Sequence, residues 1–228
     1  DLPATNGYPF TVVFPRDELM TVVGQGPFGQ VLRLDAAGDG VRRGVGRVMG
    51  SPSYVSIHFT ATYDAECALQ ALKGYESATI GLLGPSAISY AMVDHLKKSL
   101  PRATFVDASP LVDAIKAVKS PEEIALIRRM TAMQDVAAEA VTKALRPGMR
   151  DMEVVQVART VSTSLGSEQG WYMAASGPVG TAAVMAPPHQ QNRVIREGDQ
   201  FCMLIENSGP GGYYGEIGRT WVLGKASQ

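Results

Sequence analysis

Two apolar runs near the end of the chain dominate its hydrophobic pattern. Residues 201–205 form the first run and residues 220–223 end the second, with a Gly- and Pro-rich segment, residues 208–212, between them. Short apolar runs around such a connection predict the two strands of a buried hairpin. Glu206 lies near the end of the first strand and Glu216 lies on the second. Because buried carboxylates cost free energy unless they are compensated, we expect a metal ion, a shared proton or a cationic partner beside them.

The first half of the chain alternates between strand-like and helix-like segments. The pattern predicts strands at residues 11–14, 19–23, 53–61, 78–84 and 103–109, and helices at residues 63–75, 87–100 and 111–118. The strand at residues 78–84 has the continuous apolar run of a buried strand. Residues 24–50 carry many glycines and no clear period, so no element is predicted there. Strands separated by helices indicate an α/β layer with some parallel pairing.

A helix-start signal at Ser120 marks the second half of the chain, and we place the domain boundary between residues 118 and 119. Ser120 is a favourable N-cap residue, and Pro121 is favourable at the first helical position. The Glu123 side chain can complete a capping box by accepting from the Ser120 backbone N–H. The predicted helix extends to residue 145, with an apolar face of Ile124, Ile127, Met130, Val136 and Val141. A second helix at residues 151–165 has an apolar face of Val154, Val157, Ala158 and Val161. Strands are predicted at residues 171–175 and 181–185.

Composition and charge narrow the class of protein. The net charge is -1, which provides no basic surface for nucleic acid. No apolar run approaches the roughly 18 residues of a membrane span, so no membrane partner is expected. Cys67 and Cys202 lie among apolar residues, which predicts buried free thiols in a reducing, cytoplasmic location. The chain starts at Asp1 without an initiator Met, so we expect it to be a piece of a longer polypeptide.

From residue 118 onward the sequence resembles the pita-bread family, which includes aminopeptidase P, prolidase, methionine aminopeptidase and creatinase. Six features carry this resemblance in family order: residues 119–124 with Ile127 and Arg128, Arg146-Pro147-Gly148, Ser176-Gly177, Pro188-His189, Gly198-Asp199, and Gly212-Tyr213-Tyr214 through Arg219-Thr220. Residues 1–118 resemble the N-terminal domain of the creatinase and aminopeptidase P branch. The resemblance implies an α/β creatinase-like N-terminal domain, residues 1–118, followed by the first half of an α+β pita-bread catalytic domain, residues 119–228.

The resemblance also implies a metal site in the hairpin, where the peptidase members carry two Asp that bind a pair of divalent metals. Glu216 stands at the second of these positions. For the first, counting from Gly198-Asp199 leads to Leu204 and counting back from Glu216 leads to Ile205, whereas the nearby carboxylate is Glu206. The turn Ser208-Gly209-Pro210 resembles the dimethylsulfoniopropionate lyase branch and aligns Glu206 with the metal ligand. The implied cofactor is a pair of Mn, Fe, Co or Zn ions, or none if the chain is creatinase-like. In the family, a further His and two Glu come from the second half of the domain.

His189 is the strongest candidate for acid–base catalysis, because the matching His of the family handles protons and imidazole titrates near neutral pH. Glu216 is the second catalytic candidate. The resemblance implies that Arg219 and Tyr213 bind substrate. His58, in a predicted strand, and His95, on a helix face, are expected to be structural.

These residues point to a hydrolase that cleaves a C–N bond, whether amide, prolyl-peptide or amidino, in a small molecule or short peptide. Two alternatives stay open. The variant turn is compatible with a C–S lyase that acts on a dimethylsulfoniopropionate-like substrate. The replacement of the family's Asp pair is compatible with a non-catalytic pita-bread binding module. The resemblance further implies a homodimer.

Overall fold

A computed structural model describes residues 10–35, 42–52, 62–185 and 192–226. The chain divides into two compact units, residues 1–118 and 119–228. The predicted strand at residues 53–61, with His58, and the catalytic candidate His189 lie outside the described residues. Among the helices in the described ranges, none combines the length and apolar character that a membrane span requires.

The described residues of the N-terminal unit form two small sheets and three helices. Its elements are β1 (Thr11–Val13), β2 (Met20–Gln25), β3 (Val31–Arg33), β4 (Val45–Ser51), α1 (Tyr63–Ala71), β5 (Thr79–Leu82), α2 (Tyr90–Ser99), β6 (Thr104–Asp107) and α3 (Ser109–Ala117). The first sheet has the order β1-β2-β4-β3, and β5 pairs with β6 in the second. Both β2–β4 and β5–β6 are parallel pairs, the kind of pairing that alternating strands and helices predict.

Two features of the N-terminal unit differ from the sequence prediction. β3 and all but the last residue of β4 lie within residues 24–50, where the many glycines interrupt the alternation of apolar and polar residues. The strand at residues 78–84 was predicted to be buried, but Thr79 and Gly81 of β5 are exposed. Burial alternates along β5 because the two-stranded sheet packs through one face, where Phe105 contacts a small cluster of Ala65, Ala68 and Leu96.

In the C-terminal unit, the residues that the structure describes form a three-stranded antiparallel sheet with two helices on one face. Its elements are α4 (Pro121–Ala144), α5 (Asp151–Ser164), β7 (Gly170–Pro178), β8 (Asp199–Ser208) and β9 (Tyr214–Val222), with the strand order β7-β8-β9. The core between the sheet and the helices is one cluster that includes Val141, Val154, Ala158, Tyr172, Phe201, Met203 and Ile205. This sheet positions the predicted hairpin.

The start of α4 has the predicted capping box. The Ser120 Oγ accepts a hydrogen bond from the Glu123 backbone N–H at 3.2 Å, and the Glu123 Oε2 accepts from the Ser120 N–H at 2.7 Å. The predicted core face of the helix was partly wrong, because Ile124 and Val136 are 41% and 47% exposed. Val136 is six residues after Met130, which places it on the other side of the helix. The buried stripe consists of Met130, Met133, Gln134, Ala137, Ala138 and Val141.

The second strand predicted after α5 is also wrong. Residues 181–185 form no strand, and β7 instead continues through Ser176 to Pro178, which pairs with Asp199. The reason lies in the turn after Pro178, whose carbonyl accepts hydrogen bonds from both the N–H and the hydroxyl of Thr181, at 3.1 and 2.6 Å. Because the Thr181 N–H is used in this turn, it is not available to pair with a neighbouring strand.

The two cysteines are free thiols in different surroundings. Cys67 is buried in the N-terminal unit, and burial raises the pKa of its thiol. Cys202, which was also predicted to be buried, is half-buried in β8, with its Sγ 3.2 Å from the Thr220 Oγ1 on the neighbouring strand. The prediction of a buried thiol therefore holds for the first and fails for the second, because Cys202 alternates to the less covered face of its sheet.

Candidate functional site

The hairpin of β8 and β9 is joined by a tight turn that depends on glycine. The Gly209 N–H donates to the Tyr213 carbonyl at 2.8 Å, and the Gly212 N–H donates to the Gly209 carbonyl at 3.0 Å. Gly211 and Gly212 adopt positive φ angles of 85° and 79°, a backbone region that glycine occupies without steric cost. The turn therefore fixes the register of the two strands.

This register places the two carboxylates directly across from each other. Glu206 of β8 is the Cα partner of Glu216 of β9, and Trp171 of β7 is the partner of Glu206 on its other side. Directly opposed residues of an antiparallel pair project from the same face, with Cβ atoms about 4.5–5.5 Å apart. Glu206 is half-buried and Glu216 is exposed. The hairpin thus presents a pair of carboxylates on one face, as the spacing of ten residues predicts.

The two faces of the sheet have different neighbours. The helix face, defined by Tyr172, Phe201, Met203, Ile205, Asn207 and Trp221, packs toward α4 and α5. The open face, defined by Trp171, Met173, Leu204, Glu206, Glu216 and Gly218, is half-buried or exposed. Of the three positions that the sequence left as candidates for the first metal ligand, Ile205 lies in the core and Leu204 lies opposite Gly218. Only Glu206 stands opposite Glu216.

The two candidate substrate-binding residues do not join this pair. Arg219 is the register partner of Met203, so it extends from the helix face, where its guanidinium lies 4.0 Å from the Asp135 carboxylate of α4. The Tyr213 hydroxyl donates a 2.5 Å hydrogen bond to the Glu123 carboxylate, which raises the pKa of Tyr213 and lowers that of Glu123. Tyr213 therefore connects the hairpin turn to the capping box of α4.

A buried polar network lies beneath the carboxylate pair on the helix face. The side-chain amide nitrogen of Gln134, a residue only 1% exposed, shares its two hydrogens among three acceptors: the Ile205 carbonyl at 3.1 Å, the Asn207 Oδ1 at 2.9 Å and the Gly215 carbonyl at 2.6 Å. The Asn207 amide in turn donates to the Ser167 hydroxyl at 3.2 Å. Buried polar groups that find such partners rigidify the backbone around them.

Two further groups shape the electrostatics of the hairpin. Burial raises the pKa of the Tyr214 hydroxyl, and the nearby Glu206 carboxylate adds to this rise. At the start of β8, the buried Asp199 carboxylate accepts hydrogen bonds from the Arg193 Nη1 and Nη2 and from the Arg196 backbone N–H. The hydrogen bond from Arg193 lowers the pKa of Asp199, so the carboxylate stays charged and anchors the strand.

The two carboxylates supply part of the ligand set that the implied metal pair requires. Carboxylate oxygens suit hard divalent cations, and Glu206 with Glu216 supplies two of them from one face. A protein site for such cations needs four or more ligands. In the ranges that the structure describes, no group of three or more His, Cys, Asp or Glu side chains is close enough to hold a metal ion. The pair is therefore a suitable but incomplete donor set.

The histidines divide between the two parts of the sequence. His95, on α2 of the N-terminal unit, is half-buried, and its structural role stays a prediction. The position of His189 next to the carboxylate pair stays a prediction.

Sequence reasoning missed Gln134 and Asn207. Gln134 follows Met130 by four residues and precedes Ala137 by three, so it falls on the buried stripe of α4. Asn207 follows Ile205 at the two-residue spacing of the helix face. A polar residue at a core position of an otherwise apolar stripe was the available signal, because such a residue needs a hydrogen-bond partner when it is buried.

Comparisons with known proteins point in one direction. Residues 125–228 match the model of metallopeptidase family M24. Over 146 residues the chain is 29% identical to an uncharacterized hydrolase/peptidase, y4tL, of Sinorhizobium fredii (strain NBRC 101917 / NGR234), an alignment that covers 61% of this chain and 36% of that protein.

Solved structures share the fold of nearly the whole chain. The Xaa-Pro dipeptidase from Bacillus anthracis superposes with a TM-score of 0.68 at 17% identity, over 96% of this chain and 56% of that one. The prolidase from Pyrococcus furiosus gives a TM-score of 0.65 at 18% identity, over 96% of this chain and 57% of that one. The chain thus spans a little over half the length of these structures.

Proposed function

We propose a function from the premise that residues 125–228 belong to metallopeptidase family M24, the pita-bread family, whose model they match. The full-length protein is proposed to be a peptidase-type hydrolase that cleaves the C–N bond of an Xaa-Pro dipeptide or a similar small amide. The names of the structural neighbours, an Xaa-Pro dipeptidase and a prolidase, support this choice of substrate class.

One observation of this chain carries the proposal: Glu206 and Glu216 oppose each other on the open face of the sheet. Two like charges directly across a strand pair destabilise a fold. An arrangement that is unfavourable for stability is expected where it serves a site. The half-buried Trp171 beside Glu206 supplies an apolar wall on which a small side chain or a prolyl ring can rest.

The carboxylates are assigned separate roles in hydrolysis. Water adds to the substrate carbonyl carbon, the C–N bond breaks, and the leaving nitrogen gains a proton. Glu216, the more exposed of the two, is proposed to accept the proton of the attacking water, and Glu206 to orient that water or a cationic group of the substrate. His189 is proposed to donate a proton to the leaving nitrogen, and proton exchange with solvent then removes the proton from Glu216 and restores the one on His189. A divalent cation bound by the pair would polarise the carbonyl and acidify the water.

The test is turnover by the full-length protein on a panel of Xaa-Pro dipeptides, other small amides and guanidino compounds. We expect Glu216→Gln to lower kcat/KM by about 10²–10⁴-fold, the usual contribution of a positioned acid–base group. Glu168→Gln is the matched control, because it makes the same change at an exposed position outside the hairpin. Wild-type inactivity on the whole panel, or equal activity of Glu216→Gln and Glu168→Gln, contradicts the proposal.

A second arm separates the metal-dependent route from the creatinase-like one. Loss of turnover in chelator, restored by Mn, Fe, Co or Zn, supports a metal pair bound in part by Glu206 and Glu216. Turnover that survives chelator and is abolished by His189→Ala supports acid–base chemistry without metal. The homodimer and the cytoplasmic location stay predictions, to be checked by light scattering and by cell fractionation.

A further inference from the structure

One buried side chain reaches both strands of the hairpin next to the two carboxylates. The Gln134 Nε2 donates to the carbonyl of Ile205 and the side chain of Asn207, the two residues that flank Glu206. The same nitrogen lies 2.6 Å from the carbonyl of Gly215, the residue before Glu216, so its two hydrogens are shared among three acceptors. All three acceptors therefore lie within one residue of a carboxylate.

The helix that carries Gln134 lies close against β9 at this point. A Cβ added at Gly215 would overlap the Met130 side chain and would lie 3.3 Å from the Gln134 Oε1. Glycine at this position lets β9 approach α4 closely enough for the amide to reach its carbonyl. The hydrogen bond between the Gln134 amide and the Gly215 carbonyl therefore depends on both a polar residue on the helix and a glycine on the strand.

The network leaves little freedom to the residues involved. Gln134 and Asn207 are 1% and 0% exposed, and the Asn207 amide is itself bonded to Ser167 and Tyr172, at 3.2 and 3.4 Å. If the strands slid or separated, buried acceptors would lose their donor with no water to replace it. This resistance opposes the repulsion between the two carboxylates, which acts to separate the same strands.

We propose that Gln134 is a positioning residue that fixes the backbones of β8 and β9 so that Glu206 and Glu216 stay opposed. It acts from the other face of the sheet and touches neither carboxylate. The inference rests on the proposed function, because it gives the opposed pair its role in turnover.

The first test measures the geometry without any activity. In the full-length protein with Cys202→Ser, the double variant Glu206→Cys and Glu216→Cys places two thiols at directly opposed positions. Directly opposed residues of an antiparallel pair have Cα atoms about 4.5–5.5 Å apart, within the range that a disulfide spans, so mild oxidation is expected to join the two thiols quickly. Adding Gln134→Met, which keeps the volume and removes the donors, is expected to slow this disulfide formation at least tenfold.

Two companion variants keep this test decisive. Thr142→Val removes another hydrogen bond between α4 and β9, the 2.8 Å bond from the Trp221 Nε1, at the far end of the hairpin. It is expected to change the oxidation rate by less than twofold. Gln134→Asn retains an amide but is too short to reach both strands, and it is expected to slow oxidation several-fold even if Gln134→Met folds poorly.

The second test uses turnover of the Xaa-Pro substrate. Gln134→Met is expected to lower kcat at least tenfold with KM within twofold of wild type, whereas Thr142→Val changes neither by more than twofold. An oxidation rate unaffected by both Gln134 variants overturns the inference. A slowed oxidation with unchanged kcat reduces Gln134 to a stabilising role and also overturns it. Wild-type inactivity would count against the proposed function alone, because the oxidation rates still decide whether Gln134 holds the strands.

Discussion

The two faces of the β8–β9 hairpin share one backbone but differ in burial and in the residues that they carry. The helix face buries Phe201, Met203 and Ile205, each at most 2% exposed, against α4 and α5. The open face carries Glu206 and Glu216 among half-buried and exposed residues. Because side chains alternate along a strand, every second residue can serve stability while its neighbours serve chemistry. A change of one residue in register would exchange the two sets.

The largest effect on stability is expected from truncation of the helix face. Phe201→Ala removes a fully buried ring that contacts Trp221, and it is expected to lower the free energy of unfolding by about 3–5 kcal/mol. Leu204→Ala on the open face, three residues away, is expected to cost less than about 1 kcal/mol because Leu204 is only half-buried. Denaturant unfolding of both variants measures the difference. Equal losses would contradict the division between the faces.

The next effect concerns the ion pair that anchors β8. Asp199→Asn leaves Arg193 without its carboxylate and is expected to cost about 3 kcal/mol at neutral pH. The folded-state pKa of Asp199 is lowered, so its contribution is present above the unfolded pKa and is lost as pH falls through the folded pKa. Unfolding measured from pH 7 to pH 2 should therefore show the two proteins converging in acid. A constant difference across that range would contradict this assignment.

Two glycines of β9 allow the packing of the two faces to be compared by adding one methyl group to each face. Gly215→Ala is expected to cost about 1–3 kcal/mol, because its Cβ overlaps the Met130 side chain on the helix face. Gly218→Ala, on the open face with no atom within 4 Å of the added Cβ, is expected to be neutral or slightly stabilising. Thermal unfolding of the two variants checks this order, and the reverse order would be incompatible with the register.

The smallest effect is expected at the hairpin turn. Tyr213→Phe removes one hydrogen bond to the half-buried Glu123 carboxylate, which keeps its bond from the Ser120 N–H, so the loss of stability should be slight. The lowered pKa of Glu123 means that this contribution is present above about pH 4.5 and is lost as pH falls through the folded pKa. Because the pKa of Tyr213 is raised, the contribution of this hydrogen bond to stability is lost again as pH rises through the folded-state pKa of Tyr213. The variant and the wild type should therefore differ most between these limits, and a large or pH-independent loss would contradict the assignment.

Local signals in the sequence were sufficient for the hairpin, the opposed carboxylates and the capping box at Ser120. Each depends on spacing within a short segment: a glycine turn, a two-residue alternation, or a Ser followed by Glu three residues later. The same reasoning failed at Val136, where an apolar residue lies off the helix stripe, and at residues 181–185, where the Thr181 N–H and hydroxyl both donate to the Pro178 carbonyl in a turn.

The polar network could not be read from local spacing because its partners are far apart in the chain. Gln134 lies 71 residues before Ile205 and 81 before Gly215. No residue near Gln134 in the sequence indicates which groups accept its hydrogen bonds. The packing of α4 on the sheet brings the Gln134 amide and these acceptors together. The position of Arg219 shows the same limit, since its face follows from the register of β9 and not from its proximity in sequence to Glu216.

The central claim is that Glu206 and Glu216 act as one unit, and a double-mutant cycle of kcat/KM tests it most directly. Glu206→Gln, Glu216→Gln and the double variant are assayed on the same Xaa-Pro substrate in the full-length protein. Groups that act together give losses that do not multiply. The account predicts that kcat/KM of the double variant lies within about threefold of that of the less active single variant. A double loss equal to the product of the two single losses would contradict it.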